Sequence, residues 1–128
     1  MKIGTMLKDI SLALVQRPVT ERYPRVRRPT PDSLRGHLLW NPEKCTGCGL
    51  CVTDCPSAAL ELIVLDKKAK RFVLHYQVDR CTFCAQCVQS CRQGCLSLSA
   101  DAWELAALSK EAFKVYYGEE EDVREALA

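Results

Sequence analysis

Long apolar runs are missing from this 128-residue sequence: nowhere do eighteen uncharged apolar residues follow one another, so no segment reads as a membrane-spanning helix. Met1-Lys2-Ile3-Gly4 leads into no apolar signal-peptide core, and the expectation is a chain neither secreted nor membrane-spanning. Net charge is scarce too, +2 at pH 7, which argues against a free-standing nucleic-acid binder. A Gly-rich phosphate loop, a flavin or nicotinamide fingerprint and a nucleophile paired with a base are all lacking. The chain is therefore expected to have no catalytic residues of its own. Histidine is limited to His37 and His75, both at or in expected strands, where packing or surface roles are the expectation rather than metal ligation.

Cysteine is what the sequence has in excess. Nine occur, all between Cys45 and Cys95. An odd number, with many neighbours only two residues apart, makes a poor disulfide framework; in a reducing cytoplasm such clusters read as metal ligands. Charge is unevenly spread as well. Residues 1–44 carry nine Lys or Arg against four acids, and residues 101–128 carry three against eight.

Sliding the sequence by 36 residues lays KCTGCGLCVTDCPSAALEL (44–62) over RCTFCAQCVQSCRQGCLSL (80–98). Four cysteines coincide, as do Thr46 with Thr82, Val52 with Val88, Leu60 with Leu96 and Leu62 with Leu98. This is an internal duplication. Each half reads as strand, cysteine loop, short helix and strand, with strands expected at 37–41, 60–65, 72–78 and 96–98 and a polar turn at 66–70. The expected fold is a small pseudo-symmetric α+β unit in which two short helices cover two β-hairpins.

The first half is Cys45-x2-Cys48-x2-Cys51-x3-Cys55-Pro56 and the second Cys81-x2-Cys84-x2-Cys87-x3-Cys91. Three thiolates at successive two-residue gaps wrap a loop around one face of an iron-sulfur cubane, and thiolates are the soft ligands that such clusters select. The fourth cysteine, expected on the helix that follows, points away from its own loop and so ligates the other cluster. The ligand sets are then Cys45, Cys48, Cys51 and Cys91 for one 4Fe-4S cluster, and Cys81, Cys84, Cys87 and Cys55 for the other. Structural zinc is the alternative, but zinc ribbons use separated C-x2-C pairs, without a third cysteine after another two-residue gap.

Two residues depart from the repeat. Cys95 lies over Ala59, a small apolar position, and is expected to be a buried free thiol without a ligand role, a reserve ligand for a damaged or rearranged cluster being the alternative. Arg92 lies over Pro56, and its charge beside Cys91 is expected to favour the reduced form of the first cluster.

Three regions follow: an N-terminal arm (1–36), the cluster domain (37–100) and a C-terminal extension for docking, with an acidic tail (101–128). In the arm, Ile3, Met6, Leu7, Ile10, Ala13 and Leu14 share one face of a helix expected over about residues 5–16. That face packs either on its own domain or on a partner or membrane interface. Arg17, Arg22, Arg25, Arg27, Arg28 and Arg35, interrupted by Pro24, Pro29 and Pro31, then form an extended basic segment. At the other end Asp101-x-x-Glu104 reads as a capping box opening a helix through Trp103, Leu105, Ala106 and Leu108. Phe113, Val115, Tyr116 and Tyr117 form a segment that Gly118 stops, and the acidic run 119–122 reads as a solvated face.

With both motifs in place, the chain resembles the bacterial-type two-cluster ferredoxin family. More narrowly, it is similar to the ferredoxin-like subunit shared by respiratory complex I (its subunit I), the membrane-bound group 4 nickel-iron hydrogenases and the formate hydrogenlyases. RPVTERYP (17–24), LRGHLLWNPEKCTGCGLC (34–51) and KVYYG (114–118) carry the narrower likeness. The resemblance implies a non-catalytic electron-transfer subunit with two 4Fe-4S clusters, bound peripherally to the cytoplasmic side of the membrane. Its implied partners are a large catalytic subunit, a small cluster-bearing subunit and a ferredoxin-like donor. The short spacer from Pro56 to Arg80 and the lack of long tails favour the hydrogenase-type branch. A diffusible two-cluster ferredoxin and a zinc-binding assembly protein are the competing readings.

Overall fold

The computed structural model describes residue 4 and residues 6–101 and 106–128. Short strands alternate with cysteine loops, as the repeat requires. Strand β1 (Leu38–Trp40) precedes the first loop, helix α2 (Leu50–Thr53) follows it, and β2 (Leu60–Asp66) turns into β3 (Arg71–Gln77). Helix α3 (Gln86–Ser90) and β4 (Leu96–Leu98) complete the second half, after which β5 (Lys114–Tyr117) and α4 (Glu120–Leu127) are added. Helix α1 (Leu7–Val15) stands in the N-terminal arm.

Of the two expected hairpins only β2–β3 joins consecutive strands; the other ladder pairs β1 with β4, from opposite ends of the domain. Both ladders nevertheless have one register. Leu38 faces Leu98 and Trp40 faces Leu96 in the first, and Leu74 faces Leu62 and Tyr76 faces Leu60 in the second. Each pair is the other shifted by 36 residues. The backbone repeats as well: the left-handed residues Gly47, Gly49 and Ala58 recur as Phe83, Ala85 and Gly94.

Leu38, Leu60, Phe72, Leu74, Tyr76, Val78 and Leu96, with Cys45 and Cys95, make one buried cluster. Full burial of a side chain such as Leu74 contributes about 1.5–3 kcal/mol. Alternation along β3 sends Phe72, Leu74 and Tyr76 to this core and Arg71, Val73 and His75 to the opposite face, against which α4 packs while β5 lengthens the sheet beside β3. There His75 stacks on Tyr116 with centroids 4.4 Å apart, and its Nδ1 lies 3.2 Å from a Glu61 carboxylate oxygen. It is a packing residue, as expected. His37 is half-buried and its carbonyl accepts from the Ser99 N–H.

The C-terminal extension departs from its sequence reading. The capping box and Trp103 fall largely in 102–105, outside the described residues, and Ala106 to Leu108 are not helical. Val115 to Tyr117 become a strand on β3 because alternation gives Tyr117 to the core side, where its hydroxyl donates to the Leu38 carbonyl. The acidic run is not wholly solvated either. Asp122 is buried and accepts from Arg71 Nε at 2.6 Å, while Arg71 Nη2 meets Glu125 at 2.7 Å. Acids at 120–122 open α4, where they complement the positive end of the helix dipole.

The arm is anchored at its C-terminal end. Thr30 Oγ1 donates to Ala100 O, Gly36 N–H to Ser99 O, and Arg35 Nη1 to Cys84 O at 2.9 Å. Helix α1, by contrast, buries none of its residues; Leu7, Ile10 and Leu14 are 72%, 58% and 83% exposed. Of the two readings of its apolar face, packing on its own domain is not what the fold contains. Among the described residues no helix is long and apolar enough to cross a membrane.

Candidate metal centre

Each cysteine loop is a chain of tight turns. Gly49 and Ala85, both left-handed, precede α2 and α3, so the first three thiols of each half curl around one point. Gly47 must be glycine: a Cβ there would lie 2.5 Å from the Phe72 ring, at a φ of +68°. The fourth cysteines correct an expectation, since Cys55 and Cys91 sit just past the ends of α2 and α3 rather than on them. In the first half Pro56 follows directly and cannot continue a helix. In both halves a three-residue hydrogen bond, Cys55 N–H to Val52 O and Cys91 N–H to Val88 O, closes the last turn.

That exit carries each fourth thiol across the molecule. One cavity is lined by Cys81, Cys84 and Cys87 together with Cys55, and by Leu38, Leu60, Tyr76 and Leu98. A second is lined by Cys45, Cys48 and Cys51 together with Cys91, and by Trp40, Leu62, Leu74 and Cys95. A shift of 36 residues turns Trp40, Leu62 and Leu74 of the second into Tyr76, Leu98 and Leu38 of the first. Both cavities are partly open to solvent. Among the described residues no three His, Cys, Asp or Glu side chains gather closely enough to hold a single ion.

The electrostatics repeat with the same period. Burial, then the neighbouring Cys45 and Cys48 thiols, raise the Cys51 pKa; burial and then Cys81 push its counterpart Cys87 up to about 11. Burial also works upward on Cys55 and Cys91, yet hydrogen bonds hold both below the usual thiol value. Chief among these are the Ala59 N–H on Cys55 Sγ and, on Cys91 Sγ, the side chain and N–H of Cys95, the two N–H contacts both at 3.3 Å. Backbone N–H groups aimed at sulfur favour a thiolate, the form a metal takes.

One polar group that sequence reasoning missed belongs to these cavities. The Tyr76 hydroxyl is buried on the wall of the Cys81 cavity without a hydrogen-bond partner. Burial first, then the adjacent Cys81 thiol, raise its pKa, although Cys81 does not meet hydrogen-bond geometry. A buried orphan O–H beside four thiols fits a site whose acceptor is a cluster sulfur. The repeat offered a signal, since it lays Tyr76 over Trp40. Arg35, read from the sequence only as part of the basic arm, ties that arm to the Cys84 carbonyl and lines neither cavity.

Cys95 is buried, as expected, but its surroundings are not simply apolar: its Sγ lies 3.1 Å from Cys91 Sγ, on the wall of the Cys45 cavity. Arg92 is exposed and lines neither cavity.

Residues 42–95 match the family model described as a 4Fe-4S dicluster domain. NADH-quinone oxidoreductase subunit I of Protochlamydia amoebophila is 43% identical over 67 residues, covering 46% of this chain and 43% of that protein. F(420)H(2) dehydrogenase subunit I of Methanosarcina mazei is 34% identical over 64 residues, covering 48% of this chain and 36% of its own. The chain thus spans under half the length of these two curated relatives. Among solved structures, the membrane-bound sulfane sulfur reductase, an archaeal respiratory membrane complex, contains a chain that aligns with a TM-score of 0.69 at 22% identity. The alignment covers 98% of this chain and 69% of that one, and shows a shared fold. Residues 42–95 are thus similar to a 4Fe-4S dicluster domain, a likeness that implies two 4Fe-4S clusters, and are similar in sequence to subunit I of NADH-quinone oxidoreductase and of F(420)H(2) dehydrogenase.

Proposed function

We propose that this chain relays electrons through two 4Fe-4S clusters to the catalytic subunit of a membrane-bound respiratory oxidoreductase. Cys45, Cys48, Cys51 and Cys91 hold one cluster and Cys81, Cys84, Cys87 and Cys55 the other, in a pseudo-twofold arrangement. The observation that carries this reading is the crossed lining of the cavities, three thiols from one half and the fourth from the other. When bound, each cluster supplies a one-electron carrier. The chain's own residues hold it by thiolate, keep water out with Leu38, Leu60 and Leu98 on one side and Trp40, Leu62 and Leu74 on the other, and fix the separation of the two sites. Sharing one small core, the sites cannot drift apart, which suits electron transfer between them.

Docking follows from the arms. The unburied apolar face of α1 and the arginines after it suit a partner subunit beside an anionic membrane surface, with the chain peripheral on the cytoplasmic face. A large catalytic subunit, a small cluster-bearing subunit and a ferredoxin-like donor are the partners this reading needs. The names of the relatives support the respiratory class. Whether the terminal site reduces a quinone, or protons at nickel-iron as the short spacer suggested, separates by product.

The test uses the intact membrane complex. Replacing Cys45 by Ser should abolish electron flow from donor to terminal acceptor, while the catalytic subunit keeps its partial reaction with an artificial donor. Undiminished turnover in that variant would sink the relay. So would recovery of the wild-type chain as a free monomer that reduces unrelated soluble enzymes.

A further inference from the structure

We propose that Cys95 is a reserve ligand of the Cys45 cavity, a fifth thiol able to bind cluster iron in place of Cys91. The proposal rests on reading that cavity as a 4Fe-4S site and goes beyond it, since four thiols complete such a site.

Three observations carry it. First, the two sulfurs are 3.1 Å apart and both line the cavity that Cys45, Cys48 and Cys51 also line. A replacement ligand must offer its sulfur from nearly the same point, and Cys95 starts within one sulfur-sulfur contact of it. Second, the turn between them is not packed against the core. Arg92, Gln93 and Gly94 are all exposed, Gly94 is left-handed at φ +61°, and no atom lies within 4 Å of where its Cβ would be. Cys95 already lines the cavity, so a rotation of its side chain is the movement the exchange asks for.

Third, the other half of the molecule lacks the device. The Ala59 N–H meets Cys55 Sγ at 3.3 Å just as the Cys95 N–H meets Cys91 Sγ at 3.3 Å, so the backbone is the same and only the sulfur differs. The exchange is redox-neutral. Cys95 releases its thiol proton to solvent as its Sγ–Fe bond forms, and a displaced Cys91 thiolate takes a proton up as its own bond breaks; no oxidant or reductant is needed. The consequence is asymmetry: one cluster survives loss of its crossing ligand and the other does not.

The experiment compares full-length variants purified without oxygen, reading iron and acid-labile sulfide per chain and the resonance spectrum of each reduced cluster. Cys91→Ala should retain about eight irons, with an altered spectrum for the first cluster. The double variant Cys91→Ala/Cys95→Ala and the single variant Cys55→Ala should each fall to about four. Cys95→Ala alone should hold about eight. The proposal is overturned if Cys91→Ala falls to about four like the double variant, if the double variant still holds about eight, or if Cys91→Ala is insoluble where Cys95→Ala is not. A fall to about four in Cys95→Ala alone would instead make Cys95 the resident ligand, which overturns both the reserve role and the assignment of Cys91. Wild-type protein without iron and sulfide would overturn the cluster reading beneath them.

Discussion

Tyr76 does at one cavity what Trp40 does at the other, but with a hydroxyl in place of an indole. Its O–H is buried and unpartnered, an arrangement that costs about 1–3 kcal/mol unless an acceptor completes it. A cluster sulfur bound in that cavity would be such an acceptor, and donation to it would favour the reduced, more negative state. Tyr76→Phe is therefore expected to lower the potential of the Cys81 cluster. A lost preference of about 1 kcal/mol corresponds to roughly 40 mV for one electron. The Cys45 cluster should stay where it was. A redox titration followed by resonance spectroscopy reads both; an equal shift in the two clusters, or none, contradicts the role. That the eight motif cysteines line two cavities in two sets of four was legible because their spacing is local. Tyr76 was not, because its meaning depends on which face of β3 the cavity occupies. Gly47 likewise becomes explicable only once Phe72 is seen against it; the repeat places Phe83 over Gly47 and Gly36 under Phe72, exchanging ring and gap between the halves.

Elements inside the duplication were read nearly to the residue, since alternation and a shared period constrain them twice over. Elements outside it were read less well. The sequence offers Phe113 to Tyr117 as a generic apolar segment, and only the open edge of β3 turns it into a strand. The acidic run looked solvated because charge runs usually are, yet Asp122 is held by an arginine 51 residues earlier. That ion pair fastens α4 across the outer face of β3. Asp122→Ala leaves the Arg71 guanidinium with Glu125 alone and removes an acid from the first turn of α4. The expected result is faster amide exchange through 120–127 and a melting temperature lower by several degrees, about 4–8 °C for each kcal/mol lost. Both clusters should be retained. Unchanged exchange in α4 would show that the pair does not hold it.

At the scale of the whole molecule, a single core is shared by two cavities, and each cavity is completed only by the opposite half. Cysteine spacing carried that far. It could not say that the fifth thiol stands against the fourth, nor that the arm is pinned to one cysteine loop through Arg35 while α1 stays unburied. The most direct measurement on the central claim is the metal and sulfide content of the anaerobically purified chain, with the spectrum of its reduced form. Two crossed 4Fe-4S sites predict about eight irons and eight sulfides per chain and two magnetically interacting clusters. Zinc without sulfide, or four irons giving a single isolated signal, would contradict it.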